Sequence, residues 1–340
     1  MDVASGPRTW HYGSVQGNLL LLDGSATPAT PENVKSALAD GKLLWLDIKP
    51  ADPDGIALLQ DVFGLHPLAI KGVSDFGQRP KVEDIGNCVY LVSYGVVGQG
   101  QDTVEVHIFV GDNFLVTVRM DHCHALDSMM DRLGQPGGKL PANRPPRLVL
   151  THNILAALID SFFGPLSEFD DKIDTLQEQI FSNPTNDQLQ TLFEMQRWLV
   201  NIRKVVTPQR DMVGTLVAGM INIPGVTPES DPYLRDLYDH TIRVSDTIDS
   251  YRDLLSNAMS AYLSMVSNNL NVVMKQLAII ATVFLPLSFL TGFFGQNFAW
   301  LVGQLGGLPT FLIVGIGTEL VAVIGLYWLF RRRRWIGPGA

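Results

Sequence analysis

Near the C-terminal end, Asn271, Met274, Ala278, Ala281, Leu285, Ser288 and Gly292 recur at steps of three and four residues, and Gly295, Gln296 and Asn297 follow. That spacing puts the first seven on one face of a helix. The face is small or weakly polar, whereas Ile279, Ile280, Val283, Phe284, Leu287, Phe289 and Leu290 around the rest are large. Small residues in a stripe have a plain use, the close packing of helices in a membrane. The polar ends of this stripe point to another, the lining of a water-filled path. Amide oxygens are neutral, and neutral oxygens suit a hydrated divalent cation, because Mg²⁺ gives up its waters reluctantly and is recognised through them. Charge-free sites also let the ion leave, which conduction requires. In this reading Asn297 presents a ring of amide oxygens at the mouth, where Gly292 and Gly295 permit a kink or a helix end.

Two apolar segments must hold these groups. Residues 277–294 and 311–330 are eighteen and twenty residues long, close to the ~20 that cross a ~30 Å hydrocarbon core. Between 276 and 330 the only formal charge is Glu319. Arg331, Arg332, Arg333 and Arg334 followed by Trp335 combine a positive-inside signal with an interfacial anchor, so the C-terminus is expected on the cytoplasmic side of the cell membrane. The large N-terminal part then lies on the same side, with 298–310 as the outer loop. Residues 1–6 have no basic, apolar leader pattern. Two spans cannot enclose water, so several copies must contribute to any path.

The remaining sequence reads as ordinary soluble protein. A net charge of −9 among 340 residues argues against nucleic acid as the main partner. Two cysteines, Cys88 and Cys123, imply no disulfide framework. Residues 1–30 read as a loose N-terminal segment or an edge strand. Residues 31–146 alternate short apolar runs with turn signals, an α/β domain ending in a Gly/Pro-rich linker at 134–146. Residues 147–229 read as antiparallel helices, one over about 148–181, broken at Asn183-Pro184, and another over about 186–214.

From Tyr233 to Phe294 there is one proline and no glycine before Gly292. This predicts a single helix of about 60 residues, roughly 90 Å long, a stalk over 230–297 that continues into the first span at about 277–294. Leu237, Thr241, Val244, Ile248, Tyr251, Leu255, Ala258, Tyr262 and Met265 form a 3.5-residue seam. It is read as a surface for self-association, with packing on the chain's own helices as the competing use.

Several stretches resemble the CorA family of divalent cation transporters. Tyr238-Asp239-His240-Thr241-Ile242, Tyr262-Leu263-Ser264 and Asn271-Val272-Val273-Met274-Lys275 look like its stalk. Ile279-Ile280-Ala281-Thr282-Val283-Phe284-Leu285-Pro286-Leu287 and Thr291-Gly292-Phe293-Phe294-Gly295-Gln296-Asn297-Phe298 resemble its pore helix, and Gln78-Arg79-Pro80-Lys81-Val82-Glu83 resembles a motif of its cytoplasmic domain. The resemblance implies an α+β membrane protein with a cytoplasmic α/β domain, a long-helix stalk and two C-terminal transmembrane helices, assembled as a funnel-shaped homopentamer in the lipid bilayer. It adds Leu277 to the pore-lining set, making Met274 and Leu277 a hydrophobic gate, and it makes Gly295, Gln296 and Asn297 the selectivity filter. Mg²⁺ is then both cargo and, bound between subunits, regulator, with Co²⁺ or Ni²⁺ as further cargo and no organic cofactor.

Two departures from that family stand out. Gln296 replaces a central methionine, a position that zinc-transporting relatives also vary, and the loop 298–310 carries no Asp or Glu. Of the regulatory carboxylates, one resembles Asp236, while its partner falls at Gly72, with Asp75 nearby to substitute. A carboxylate in the middle of a span demands compensation, so Glu319 is either a neutral side chain bonded to a neighbouring helix or a proton site. Lys275 and Arg331–Arg334 would put rings of positive charge at the inner pore end, and His122, Cys123 and His124 carry metal-ligand atoms in adjacent positions. No phosphate-binding loop, nucleophile elbow or His-Glu-x-x-His is present, so an enzyme is not expected. The competing functions are a zinc transporter coupled to protons through Glu319 and a membrane-anchored metal sensor or scaffold that conducts nothing.

Overall fold

The β-branched and aromatic runs of the N-terminal half assemble into one seven-stranded sheet. The structure, a computed structural model, describes residues 17–21, 26–48, 53–97, 102–135, 140, 145–225, 231–296, 299–304, 307–333 and 335. In chain order the elements are β1 (Gly17–Leu21), β2 (Ala26–Pro28), α1 (Pro31–Ala39), β3 (Leu44–Ile48), α2 (Pro53–Asp61), α3 (Pro67–Ser74), β4 (Lys81–Asp84), β5 (Val89–Val96), β6 (Thr103–Val110), β7 (Phe114–Arg119), α4 (His124–Gly134), α5 (Pro146–Asp160), α6 (Phe163–Ser182), α7 (Asn186–Val217), α8 (Asp231–Phe294), α9 (Ala299–Gln304), α10 (Leu308–Thr310) and α11 (Gly317–Arg332), with a π-helical turn at Phe311–Ile316. Two compact units divide them: Met1–Gln179 with Thr185–Met259, and Ile180–Pro184 with Ser260–Ala340.

The sheet order is β2-β1-β3-β7-β6-β5-β4. All neighbours are antiparallel except β3 and β7. Every residue of β3, β5 and β7 is buried, so this sheet is covered on both faces, which explains why its strands read as continuous apolar runs. Within the N-terminal stretch the apolar run forms β1, which pairs with β3 on one side and with the edge strand β2 on the other, while residues 1–16 and 22–25 lie outside the described residues. Of the expected linker, 136–139 and 141–144 lie outside the described residues.

The helix expected over 148–181 is instead two. Ser161 interrupts it by turning its hydroxyl to the Leu158 carbonyl at 2.6 Å while accepting the Val96 N–H of β5 at 3.0 Å. The backbone thus gives up helical continuity to satisfy the end of the sheet. After Asn183-Pro184, α7 starts at a reciprocal cap: Thr185 Oγ1 accepts from Gln188 N–H, and Gln188 Oε1 accepts from Thr185 N–H. Further along α7, buried Gln209 accepts the Tyr94 N–H at 2.8 Å and donates to the Tyr94 carbonyl at 3.3 Å, fastening the helix to the sheet.

The seam of α8 is a correction to the sequence reading. Leu237, Thr241, Val244, Ile248, Leu255 and Ala258 are buried within the single chain, and Tyr251 meets Phe169 of α6 with ring centroids 5.6 Å apart. A 3.5-residue repeat specifies a helical partner but not whose helix it is, and here the chain's own helices fill that place.

A polar cluster inside the sheet stiffens the loop before β4. Register pairs Tyr94 with Glu105 and Val92 with His107. Glu105 accepts from the N–H groups of Gly77 at 2.5 Å and Gln78 at 3.2 Å, with Tyr94 Oη at 3.0 Å. His107 lies 3.0 Å from the same carboxylate and 2.6 Å from Tyr90 Oη. Burial pushes the Glu105 carboxyl up, but His107, the Gly77 N–H and Tyr94 outweigh it and hold it below its ordinary value. A depressed carboxylate adds stability that is complete above its unfolded pKa, ~4.3, and is lost as pH falls through the folded one. Glu105→Gln should cost about 1–3 kcal/mol at neutral pH, because an NH₂ replaces an acceptor before backbone donors. Thermal unfolding by near-ultraviolet circular dichroism between pH 7 and 3 checks this: the gap between wild type and variant narrows on acidification.

Candidate ion pathway

Over about its last seven turns, 271–294, α8 has two unlike faces. Asn271, Met274, Leu277, Ala278, Ala281, Leu285, Ser288 and Gly292 are all exposed in the single chain, with Leu285 at 72%, Met274 at 62% and Leu277 at 59%. At about 100° per residue they occupy a sector of about 120°. The half-buried positions are Lys275, Ile279, Val283, Pro286, Leu287, Leu290 and Phe294, and these centre on the opposite side. The stripe expected from spacing is therefore left uncovered by the chain itself, as are the large residues Ile280, Phe284 and Phe289 beside it.

At the end of the helix the Gly295 N–H donates to the Thr291 carbonyl at 2.9 Å, and Gln296 N–H to the Phe293 carbonyl at 3.3 Å. A β-carbon at position 295 would lie 3.0 Å from the Thr291 carbonyl oxygen, so glycine permits this closing turn. Gln296 is exposed. Asn297 lies outside the described residues, as does Arg334. Arg331, Arg332 and Arg333 are exposed, and the Arg332 guanidinium sits 5.3 Å from the Trp328 ring centroid. Lys275 is half-buried, off the stripe.

Glu319 has a partner that spacing did not reveal. Thr291 Oγ1 lies 2.9 Å from Glu319 Oε1 and 2.8 Å from the Leu287 carbonyl. The two side chains are twenty-eight residues apart in sequence, and no local pattern links them.

The sheet-containing unit brings together one further group around Asp236. His152 Nε2 approaches Asp236 Oδ2 at 3.2 Å, His240 Nε2 lies 3.9 Å from Asp236 Oδ1, and His240 Nδ1 meets Asp160 Oδ1 at 2.6 Å. The pair Asp236 and His240 was legible as i, i+4 on one helix, but His152 and Asp160 arrive from α5. Among the described residues no three His, Cys, Asp or Glu side chains are placed to hold a metal ion within one chain. Asp75 is exposed at the C-terminal cap of α3. Gly72 is buried, and a β-carbon there would meet Tyr90 Oη at 2.7 Å and Gln78 Nε2 at 3.0 Å. His122, Cys123 and His124 do not converge: Cys123 is buried, His122 pairs with Asp127 at 3.5 Å, and His124 faces Ser128 at 3.4 Å.

Three helical segments are long and apolar enough to cross a membrane: Pro146–Ser182, Pro232–Phe294 and Leu308–Arg332. The first has half of its most apolar window buried inside its own unit, and the other two have none. A sheet-based unit combined with such uncovered apolar helices defines a helical membrane protein. Residues 40–332 match the family described as CorA-like Mg2+ transporter protein, and the chain belongs to that family, whose members are transporters and not enzymes. The cobalt/magnesium transport protein CorA of Thermotoga maritima is 32% identical over 299 residues, covering 86% of this chain and 83% of that one. The zinc transport protein ZntB of Yersinia enterocolitica is 24% identical over 348 residues, covering 99% of this chain and 100% of that one. The fold is shared with the complete structure of the CorA magnesium transporter from Methanocaldococcus jannaschii, at a TM-score of 0.74 and 22% identity, over 86% of this chain and 92% of that one.

Proposed function

We propose that five copies of this chain form a passive, potential-driven pathway for a hydrated divalent cation, with Mg²⁺ the preferred cargo and Co²⁺ and Ni²⁺ accepted. Helix α8 from about 277 to 294 is the first span and lines the pore; 311–330 is the second, and both chain ends face the cytoplasm. The observation that carries this reading is the uncovered sector of α8. A helix whose small, weakly polar stripe is left open by its own chain can turn that stripe toward copies of itself around an axis, with the large exposed residues beside it left to lipid. Met274 and Leu277 then form an apolar constriction that closes by dewetting, and Gly295, Gln296 and Asn297 meet the ion with its water shell intact. Lys275 and the arginine block 331–334 ring the inner end.

Asp236 is proposed as one carboxylate of a regulatory Mg²⁺ site between subunits, with Asp75 of a neighbouring copy as the other. What supports relocation from position 72 is steric: a side chain there would collide with Tyr90 and Gln78. Asp236 must exchange its histidine partners for the ion. If Asp236→Ala closes at high Mg²⁺ on the cytoplasmic face as readily as wild type, this assignment is wrong.

Zinc transport is kept as a second reading because the ZntB relative aligns over nearly the whole chain and because a carboxylic acid stands in the second apolar segment. Uptake into proteoliposomes separates the two. The expected result is Mg²⁺ entry that scales with an inside-negative potential and ignores an imposed proton gradient. Zinc entry driven by a proton gradient, without Mg²⁺ entry, would establish the second reading, and no entry of any divalent cation would leave a sensor or scaffold.

A further inference from the structure

The arginines that close α11 are not spread evenly about it. From Thr318 to Arg332 the covered positions are Thr318, Glu319, Ala322 and Leu326, which are half-buried, and Phe330, which is 3% exposed. At about 100° per residue these five fill a sector of about 120°. That sector is turned to α8, since Thr291 Oγ1 of α8 donates to Glu319 Oε1 at 2.9 Å. Trp328 and Arg331 lie about 150° from its middle and Arg332 about 110°, whereas Arg333 falls inside it.

Two further contacts organise the side turned from α8. The Arg332 guanidinium stands over the Trp328 ring, 5.3 Å from its centroid, a stacking that holds the plane of its N–H fork. On the covered side the chain closes the helix with its own backbone. The Arg333 N–H donates to the Leu329 carbonyl at 3.0 Å and the Trp335 N–H to the Phe330 carbonyl at 2.9 Å, while the Trp335 ring stacks on Phe330 at 5.7 Å. Basic side chains near a helix C-terminus often serve its last carbonyls. Backbone donors take that task at Leu329 and Phe330.

In the proposed pathway α8 faces the axis, so the side of α11 turned from α8 meets lipid, with Trp328 at headgroup level. The geometry points to a site for one acidic phospholipid of the inner leaflet, its phosphodiester held between Arg331 and Arg332 beside the Trp328 ring. A guanidinium fork matches two phosphate oxygens at once. A choline or ethanolamine headgroup would bring its ammonium against the second guanidinium, so the site prefers a headgroup without one, such as phosphatidylglycerol. The lipid-facing placement rests on the transport reading above; the arginine–tryptophan corner does not.

The test is native mass spectrometry of the full-length protein extracted from vesicles of phosphatidylglycerol and phosphatidylcholine in equal parts, read as the ratio of the two lipids retained, with Mg²⁺ flux measured in the same vesicles. Wild type should retain phosphatidylglycerol in excess and keep it against added inorganic phosphate. Arg331→Gln and Arg332→Gln should each lower the ratio about fivefold, the scale of one basic residue at an acidic membrane surface. Arg333→Gln removes the same charge from the covered side and should leave the ratio unchanged. Arg332→Lys keeps the charge without the flat fork, and Trp328→Leu keeps an apolar side chain without the ring; both should fall between wild type and Arg332→Gln. The inference is overturned by equal retention of the two lipids, by displacement with inorganic phosphate, by Arg333→Gln losing as much as Arg332→Gln, which would show diffuse attraction, or by Arg332→Lys at the wild-type ratio, which would show a point charge alone. A wild type that carries no cation yet retains the lipid with this pattern of variants would remove the transport reading and leave the site standing. Flux without any lipid preference would do the reverse.

Discussion

Asn297→Ala is expected to leave the protein folded and inserted but to abolish its choice among cations. In the proposed pathway the ion keeps its water, so recognition is a matter of how many protein oxygens accept from that shell at once. Each amide withdrawn removes a hydrogen bond of about 1 kcal/mol, and an assembly withdraws one per copy. Three lost together come to ~3 kcal/mol, about a hundredfold in occupancy of the mouth. The measurement is Mg²⁺ uptake by proteoliposomes against excess Zn²⁺, with Phe284→Leu as the control, since Phe284 lies outside the amide-bearing sector and its replacement stays apolar. Asn297→Ala at wild-type selectivity would remove the filter assignment, whereas an equal effect of both variants would point to damage of the whole membrane segment.

How much of this could be read from sequence depended on whether the controlling interaction is local. Helix α8 was legible because nothing between Tyr233 and Phe294 breaks a helix except Pro286, and the observed element is Asp231–Phe294. The stripe was legible because three- and four-residue steps fix azimuth on any helix. The seam at Leu237–Ala258 was equally visible and was assigned the wrong partner, since periodicity carries no information on which helix answers it. Ser161 reads as an ordinary helical serine until β5 brings the Val96 N–H to it. Glu319 with Thr291, and Asp236 with His152, are joined only by packing. Gly72 shows the limit most plainly: sequence reports a missing carboxylate, while structure adds that the space for one is filled by Tyr90.

The second large effect concerns stability alone. Arg119, 1% exposed, places its guanidinium on Asp47, 2% exposed, through Nη2 at 2.7 Å and Nε at 3.3 Å, and reaches Asp127 of α4 at 2.5 Å. Thr117 Oγ1 donates to the same Asp47 carboxylate at 2.6 Å while accepting from Trp45 Nε1 at 3.1 Å. The network ties β3 to its one parallel neighbour, β7, and both to α4. Burial alone would favour losing the Arg119 charge, but the bonds and charges of Asp47 and Asp127 outweigh it and hold the guanidinium charged. Arg119→Leu leaves a buried carboxylate with Thr117 as its remaining side-chain donor, a change that costs ~3–5 kcal/mol out of the ~5–15 kcal/mol that holds a domain folded. The loss is one of abandonment rather than of attraction, because forming a buried pair also desolvates both partners. The double variant Arg119→Leu/Asp47→Leu should therefore be more stable than Arg119→Leu alone. Denaturant unfolding of the full chain, followed by the fluorescence of buried Trp45, reads both values. A double variant less stable than the single one would mean that the pair stabilises through net attraction, and the sheet would then owe its parallel junction to the ion pair itself rather than to the need to keep Asp47 from standing alone.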